Sequence, residues 1–291
     1  MKSRKTLQEL TIKDNFMFGA VMLDEDNCRR FLEMSLGFQI EHLEVSKEKS
    51  MVYHPEYKGI RLDVYAKDER NTRYNVEMQV AKQAALSKRS RYYHSQIDME
   101  LLIKGEKYEK LPDTYVIFVC DFDPFEEGKY CYTFANRCFE NNQLLLNDGC
   151  CTIFLSTKGK NDEEVPKSLV TFLKFAGAEL EDSWEEYGDD FVKQLQKSMQ
   201  NIKASREMGE RYMLFEELLQ DEREEGREEG RKEALLESIF AFLEELGSVS
   251  DEVKELLMAE NDMDRLRMYL KKAFRAVSIE EFQKEVLNSQ K

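Results

Sequence analysis

The chain has 291 residues, of which 42% are hydrophobic and 35% are charged. That length allows one large core with an appendage or two modest domains, and the apolar share is typical of a globular protein. The formal net charge is −15, which by itself argues against a nucleic-acid partner. No run of about 18 apolar residues occurs, so we expect no transmembrane helix, and the N-terminus lacks the apolar stretch of a secretory signal.

The charge is unevenly distributed along the chain. Residues 47–110 contain 14 Lys and Arg against 10 Asp and Glu, a net charge of +4, whereas residues 161–291 contain 19 against 33, a net charge of −14. The middle of the chain therefore stays open as a surface for a polyanion. The six cysteines form no Cys-X-X-Cys pair, which favours reduced packing thiols in a cytoplasmic protein over a zinc site.

The first part of the chain mixes helical and strand patterns. In chain order they are two helices within 13–37, a strand or hairpin at 40–53, two strands within 59–80 around a turn at 68–72, a helix at 84–106 and a strand at 114–120. Asp24 or Asp26 is the candidate cap of the second helix, and Gly37 is its candidate end. The continuous apolar run 114–120 is typical of a strand buried on both faces.

Two further strands are predicted at 129–139 and 150–156, and strand patterns cease beyond them. We therefore expect an α/β domain over residues 1–160, followed by an acidic, all-helical extension over 161–291. The extension contains one long predicted helix, 205–246, which would serve as a coiled helix or a tether.

A period-four repeat, "REEGREEGRKEA" at 223–234, lies within that helix. The spacing places Arg223, Arg227 and Arg231 on nearly one stripe, and Glu–Arg pairs at i,i+3 add about 0.2–0.5 kcal/mol each. The two glycines cost about 1 kcal/mol each against alanine. Two interpretations stay open: a solvated, marginal helix or tether, and a helix that pairs with a partner protein or with its own copy.

Two acids stand on the neighbouring strands of 59–80, where opposed carboxylates repel each other. With the turn centred near Arg70, an antiparallel hairpin pairs Asp63 with Glu77, and strand alternation puts Gln79 on the same face as Glu77. A divalent cation reverses the repulsion, because Mg²⁺ is commonly held by one or two carboxylates together with water and phosphate oxygens. Such a site can generate hydroxide and neutralise charge on a phosphodiester.

Basic and aromatic side chains follow this hairpin directly. The candidates for contact with DNA are Lys82, Lys88, Arg89, Arg91 and Tyr92. Lysine and arginine bind phosphates, and aromatic rings stack on bases. A basic helix face that is merely solvated is the competing interpretation.

The ordered set of segments resembles the PD-(D/E)XK nuclease superfamily, whose signature is an acid on one strand, a hairpin, and Glu-X-Lys or Glu-X-Gln on the next strand before a helix. Four segments are similar to the bacterial recombination-promoting nuclease and transposase group of that superfamily. They are "KDNFMF", "GIRLDVYAKD" with "YNVEMQV", "SKRSRYYHSQIDMELLIKGEKYEKLP" and "YVIFVCDFDPF". The similarity extends over roughly residues 8–160, and the Gly-spaced acidic repeat is similar as well.

The resemblance implies a core of αβββαβ order with a mixed central sheet, and DNA cleavage that depends on Mg²⁺, with Mn²⁺ as a substitute. By position, Asp63 and Glu77 would be metal ligands, and the Met78 carbonyl would be a third. Gln79 stands where the superfamily usually has lysine. Because glutamine has no positive charge, it would orient water or a phosphate by hydrogen bonds only.

A further acid on the first helix is common in the superfamily, and Glu33 and Asp14 are the candidates here. Each also has a plainer interpretation, Glu33 as an exposed side chain and Asp14 as a helix cap. The function that we expect is a DNA endonuclease with a role in recombination, mobile elements or defence. The alternatives are a nuclease-like module that binds DNA or a protein with weak or no catalysis, and an interaction protein built around the acidic tail.

Overall fold

The computed structural model describes residues 5–51 and 60–288, and it divides the chain into two compact units, Met1–Tyr212 and Met213–Lys291. The helices of the described residues are α1 (Asn15–Met22), α2 (Glu25–Leu36), α3 (Leu86–Leu101), α4 (Lys167–Ala176), α5 (Asp190–Ala204), α6 (Arg206–Leu246), α7 (Asp251–Ala259), α8 (Met263–Arg275) and α9 (Ile279–Asn288). The strands are β1 (Leu43–Met51), β2 (Ile60–Asp68), β3 (Arg73–Gln79), β4 (Thr114–Cys120), β5 (Cys131–Phe134) and β6 (Cys150–Ser156).

All six strands belong to one mixed sheet in the order β1-β2-β3-β4-β6-β5. Strands β3, β4 and β6 are parallel to one another, and the remaining neighbours are antiparallel. Helix α3 makes the crossover between β3 and β4, as a parallel pair requires. The succession of helices, β1–β2–β3, α3 and β4 is the expected αβββαβ order, so the predicted fold class is confirmed. The predicted strand 40–53 is β1, and residues 52 and 53 lie outside the described residues.

The second helix begins at the first of its two candidate caps. The Asp24 side chain accepts hydrogen bonds from the backbone N–H groups of Asp26 and Asn27, which have no partner within the helix. The helix ends at Gly37, whose φ of 78° lies in the left-handed region that glycine adopts without strain. Both predicted helix boundaries therefore have a local cause.

The hairpin of β2 and β3 has the predicted register. Val64 pairs with Val76, and continuing this antiparallel register by one residue places Asp63 opposite Glu77. The turn is held by the Asp68 carboxylate, which accepts the backbone N–H of Thr72 at 2.8 Å. This short, side-chain-supported turn sets the register and thereby brings the two acids together.

Helix α3 covers the face of the sheet that carries the two acids. Its Tyr93 and Ile97 belong to a buried cluster with Phe118 of β4 and Phe154 of β6. The two ring nitrogens of His94 lie 2.7 Å from the Thr114 hydroxyl and 3.1 Å from the Thr152 hydroxyl. These contacts fix the helix over β4 and β6. The helix ends at Leu101, earlier than the predicted 106, and Gly105 follows with a φ of 96°.

The first unit extends past residue 160, where the sequence places the domain boundary. Helices α4 and α5 pack against α1 and α2 within it. The rings of Phe31 and Phe172 are 5.2 Å apart, and Phe172 stacks on Phe191 at 6.1 Å. The sequence shows that strands cease near residue 156, but only packing shows that α4 and α5 cover the same core.

The second unit has an apolar core of its own. Its fully buried side chains come from α6, α7, α8 and α9 and include Ile239, Leu243, Val253, Leu257, Leu266, Tyr269, Phe282 and Val286. The stripe of Arg223, Arg227 and Arg231 is exposed on α6, whose bounds lie within one residue of the predicted helix. Among the described residues, no helix is both long and apolar enough to span a membrane.

Candidate active site

The two opposed acids are bridged by long hydrogen bonds to the backbone. The backbone N–H of Asp63 donates to Oε1 of Glu77 at 3.4 Å, and the N–H of Met78 donates to Oδ2 of Asp63 at 3.4 Å. The side-chain amide of Asn75 also donates to Glu77 Oε1 at 3.4 Å. These distances exceed the usual value of about 2.9–3.0 Å. These bonds hold the two carboxyl groups beside each other at the same level of the hairpin.

Glu77 is 1% exposed, although it is an acid in the middle of a sheet. Burial raises the pKa of its carboxyl group well above the ordinary value, and the charge of Asp63 raises it further. The nearby Arg89 guanidinium acts in the opposite direction and lowers that pKa. The fold thus holds a carboxylate where ionisation is costly unless a cation accompanies it.

Arg89 is that accompanying cation in the described structure. Its Nη2 forms an ion pair with Oε2 of Glu77. Its Nη1 donates to the side-chain oxygen of Gln79 at 3.3 Å, and its Nε donates to the Tyr93 hydroxyl at 2.6 Å. The guanidinium also lies over the rings of Tyr93 and Phe118, 5.1 and 5.8 Å from their centroids, in the range of cation–π interactions.

The backbone of Met78, whose carbonyl is the predicted third ligand, is directed toward β2. In a strand, the N–H and C=O of one residue point to the same side. The Met78 N–H points to Asp63 on the β2 side, so its carbonyl points to that side as well. The carbonyl of Gln79 points the other way and accepts the N–H of Asp121 at 2.9 Å.

The donor set fits a hard divalent cation better than zinc. Among the residues that the structure describes, no group of three or more His, Cys, Asp or Glu side chains could hold a metal ion. The two opposed carboxylates offer oxygen donors, which hard divalent cations prefer. The sulfur and imidazole ligands that zinc prefers are not part of the set.

The structure does not bring either candidate accessory acid to this pair. Asp14 precedes α1, accepts the backbone N–H of Thr11 at 2.7 Å and forms an ion pair with Lys5 at 2.7 Å. Glu33 accepts the N–H of Ile40 at 2.9 Å and thereby holds the connection from α2 to β1. Both acids therefore have local structural roles, but not the ones that their plainer interpretations predicted. Glu33 is half-buried rather than exposed, and Asp14 stands at the N-cap position of α1 without a side-chain hydrogen bond to that helix.

The five predicted DNA contacts separate into three groups. Lys82, Lys88 and Arg91 are exposed, and Lys82 forms an ion pair with Glu126. Tyr92 is half-buried and packs against the cluster under α3. Arg89 is the member of the set that reaches the acid pair, which its position in the sequence alone did not reveal.

The sequence analysis missed the contributions of Asn75 and Tyr93. Asn75 is fully buried and donates to Glu77, and its side-chain oxygen has no hydrogen-bond partner among the described residues. It stands two residues before Glu77, so strand alternation could have placed it on the acidic face. Tyr93 follows Arg89 by four residues, a spacing that makes the two side chains neighbours on a helix.

A second charged cluster lies at the carboxyl ends of β4 and β6, next to the end of β3. Asp121, directly after β4, accepts hydrogen bonds at 2.8 Å from both the Thr157 hydroxyl and the Lys158 ammonium group. Lys13, whose side chain is 9% exposed, lies 3.5 Å from Asp121 and 2.6 Å from Glu179. Burial raises the pKa of Asp121, but these hydrogen bonds and lysine charges outweigh it, so the net shift is downward.

A mixed sheet with opposed acids on a β-hairpin, followed by a covering helix, defines a protein of the PD-(D/E)XK nuclease class. The family described as "PD-(D/E)XK nuclease family transposase" matches residues 15–229. Because the match extends over well more than half of the chain, the protein belongs to this family. No curated protein and no solved structure matches the chain significantly.

Proposed function

We propose that the protein is a Mg²⁺-dependent DNA endonuclease, with Mn²⁺ as a substitute ion. The observation that carries the proposal is the buried Glu77 carboxyl opposite Asp63, an arrangement that costs stability unless it serves to bind a cation. Family membership supports a hydrolase of phosphodiester bonds, since the family is described as a nuclease and transposase family.

In this proposal each residue of the site has a distinct part. Asp63, Glu77 and the Met78 carbonyl hold the ion, and Gln79 helps to position the reacting groups by hydrogen bonds. The bound ion supplies Lewis acidity, which makes water a better nucleophile and offsets charge that develops on the phosphate. The exposed Lys88 and Arg91, together with Lys82 and Tyr92, contact the DNA backbone next to the cut.

The test is a plasmid-cleavage assay with matched acid-to-amide variants. We expect Asp63→Asn and Glu77→Gln each to lower Mg²⁺-dependent nicking at least about 10³-fold, since an essential ligand is lost. Glu69→Gln, an exposed acid in the turn of the same hairpin, should cleave as the unaltered protein does. Equal nicking by all three variants would refute the assignment of the site.

A second candidate function is a module that binds DNA without turnover. Gln79 favours it, because a neutral side chain stands where the superfamily usually has a catalytic lysine. The same assay separates the two functions when it is combined with a binding measurement. DNA binding without nicking in either Mg²⁺ or Mn²⁺ supports the binding module.

The biological setting is part of the proposal rather than of the observed site. We place the activity on cytoplasmic DNA, in recombination, mobile elements or defence, in keeping with a family described as transposases. The exposed arginine stripe of α6 is the proposed surface for self-association or for a protein partner. Sedimentation of Arg227→Ser beside the unaltered chain tests this, with a lower association state expected for the variant.

A further inference from the structure

Gln79 leaves the acid pair without the positive charge that a lysine at that position would supply. Asp63 and Glu77 together carry two negative charges when both are ionised. Arg89 adds one positive charge at the same place, in direct contact with Glu77 and Gln79. The charge count of the site is therefore the one that a lysine at position 79 would give, although the cation comes from α3 instead of β3.

The Arg89 side chain is fixed in position by several hydrogen bonds. The Tyr93 hydroxyl, at 2.6 Å, and the Gln79 and Gln83 side-chain oxygens, at 3.3 and 3.2 Å, accept hydrogen bonds from its guanidinium. Its backbone N–H donates at 3.0 Å to the carbonyl of Ala85, which has a φ of 65°, unusual for alanine. Such backbone conformations are often found next to functional sites.

Gln79 has a role that lysine could not have in this arrangement. Its side-chain oxygen accepts a hydrogen bond from Arg89, whereas a lysine offers only donors and a positive charge. Two cations side by side would repel each other. Glutamine at position 79 and arginine at position 89 are therefore complementary, and each explains the presence of the other.

The guanidinium also remains accessible from outside the core. The Arg89 side chain is 30% exposed, while the Glu77 side chain beneath it is 1% exposed. A phosphate that approached the acid pair would meet this guanidinium, whose planar array of donors suits phosphate oxygens. Arginine stays protonated at every pH of interest, so it contributes charge and hydrogen bonds but no proton.

We propose that Arg89 is the catalytic cation of this site, that its guanidinium contacts the scissile phosphate in place of a lysine at position 79, and that Gln79 is its positioning residue. This inference rests on the proposed nuclease function. It goes beyond that function because it assigns a specific role to a residue of α3 and gives the reason for the glutamine. It also predicts that a positive charge at position 79 can partly replace the one at position 89.

The experiment is a charge-relocation cycle with Arg89→Met, Gln79→Lys and the double variant, assayed by plasmid nicking. Arg89→Met should lower kcat about 10²–10³-fold, the loss seen when a donor to the transition state is removed, with KM changed only a few-fold. Arg137, an exposed arginine between β5 and β6, supplies the control, and Arg137→Met should stay within about threefold of the unaltered protein. The double variant should recover at least about tenfold in kcat over Arg89→Met, which a purely structural role of Arg89 would not allow.

A second measurement needs neither metal nor activity. In EDTA, Gln79→Lys alone should lower Tm by about 2–4 °C, because it places two cations together, and Arg89→Met should relieve that loss in the double variant. Arg89→Lys, which keeps the charge, should retain more kcat than Arg89→Met. Arg89→Met that nicks within threefold of the unaltered protein, or a double variant no better than Arg89→Met, would overturn the proposal. If the unaltered protein never nicks DNA, the proposed function is refuted instead. In that case, a Tm change in the double variant equal to the sum of the two single changes would refute the pairing of Gln79 with Arg89.

Discussion

Two carboxylates near the carboxyl ends of the central strands β3 and β4 have opposite electrostatic surroundings. Asp121 is bound by Thr157, Lys158 and Lys13, and its pKa is lowered although burial alone would raise it. Glu77 is buried more deeply, faces a second acid, and has a raised pKa in spite of Arg89. The two sites are joined through the backbone, where the Asp121 N–H donates to the Gln79 carbonyl at 2.9 Å.

These surroundings indicate that the Asp121 cluster stabilises the fold, whereas the Asp63–Glu77 site is the candidate reactive site. At Asp121 two lysines balance the charges of Asp121 and Glu179, so the cluster ties the residues before α1 to the ends of β4 and β6. At Glu77 the acids outnumber the arginine, so the site favours a further cation. Matched substitutions at the two sites should therefore act in opposite directions.

The largest expected effect is stabilisation by a divalent cation at the Asp63–Glu77 site. At a Mg²⁺ or Mn²⁺ concentration of about 100 times Kd, the free energy of unfolding should rise by about 2.7 kcal/mol. Thermal melts with and without the ion measure it. Asp63→Asn should lose this stabilisation, and Asp121→Asn should keep it. The reverse result would mean that the ion binds at Asp121 and not at the Asp63–Glu77 site.

Next in size is the loss of stability in Asp121→Asn. Removing the charge takes away charge-assisted hydrogen bonds and leaves the nearly buried Lys13 with Glu179, so we expect a loss of about 2 kcal/mol at neutral pH. The pKa of Asp121 is lowered in the folded protein, so its contribution is present above the ordinary value of 3.8 and is lost as the pH falls through the folded value. Urea melts at pH 7 and pH 3 should show a smaller deficit at pH 3 than at pH 7.

The smallest expected effect has the opposite sign. Asp63→Asn removes the charge that opposes Glu77 while its side-chain oxygen can still accept the Met78 N–H. Without metal ions, the variant should be more stable than the unaltered protein by up to about 1 kcal/mol. Urea melts in EDTA measure the difference. If Asp63→Asn is less stable than the unaltered protein, the acid pair does not destabilise the fold. The predicted opposite effects of substitution at Asp63 and Asp121 would then be wrong.

Much of the local structure followed from sequence patterns. The Asp24 cap, the left-handed Gly37 and the register of Val64 with Val76 each depend on residues close together in the chain. The family resemblance was confirmed by a match over residues 15–229. The domain boundary at 160 did not coincide with the division after Tyr212, because the packing of α4 and α5 on the first core is a long-range property.

The sequence by itself determined that Asp63, Glu77 and Gln79 share one face of a hairpin, because side chains alternate along a strand and the turn sets the register. Only the tertiary structure decided which basic residue meets them. Lys88, Arg89 and Arg91 are close together in the sequence, but the packing of Tyr93 and Ile97 against the sheet turns Arg89 toward Glu77 and leaves the other two exposed. Rotation of a helix about its axis is set by the core beneath it, and adjacent residues of one helix point in different directions.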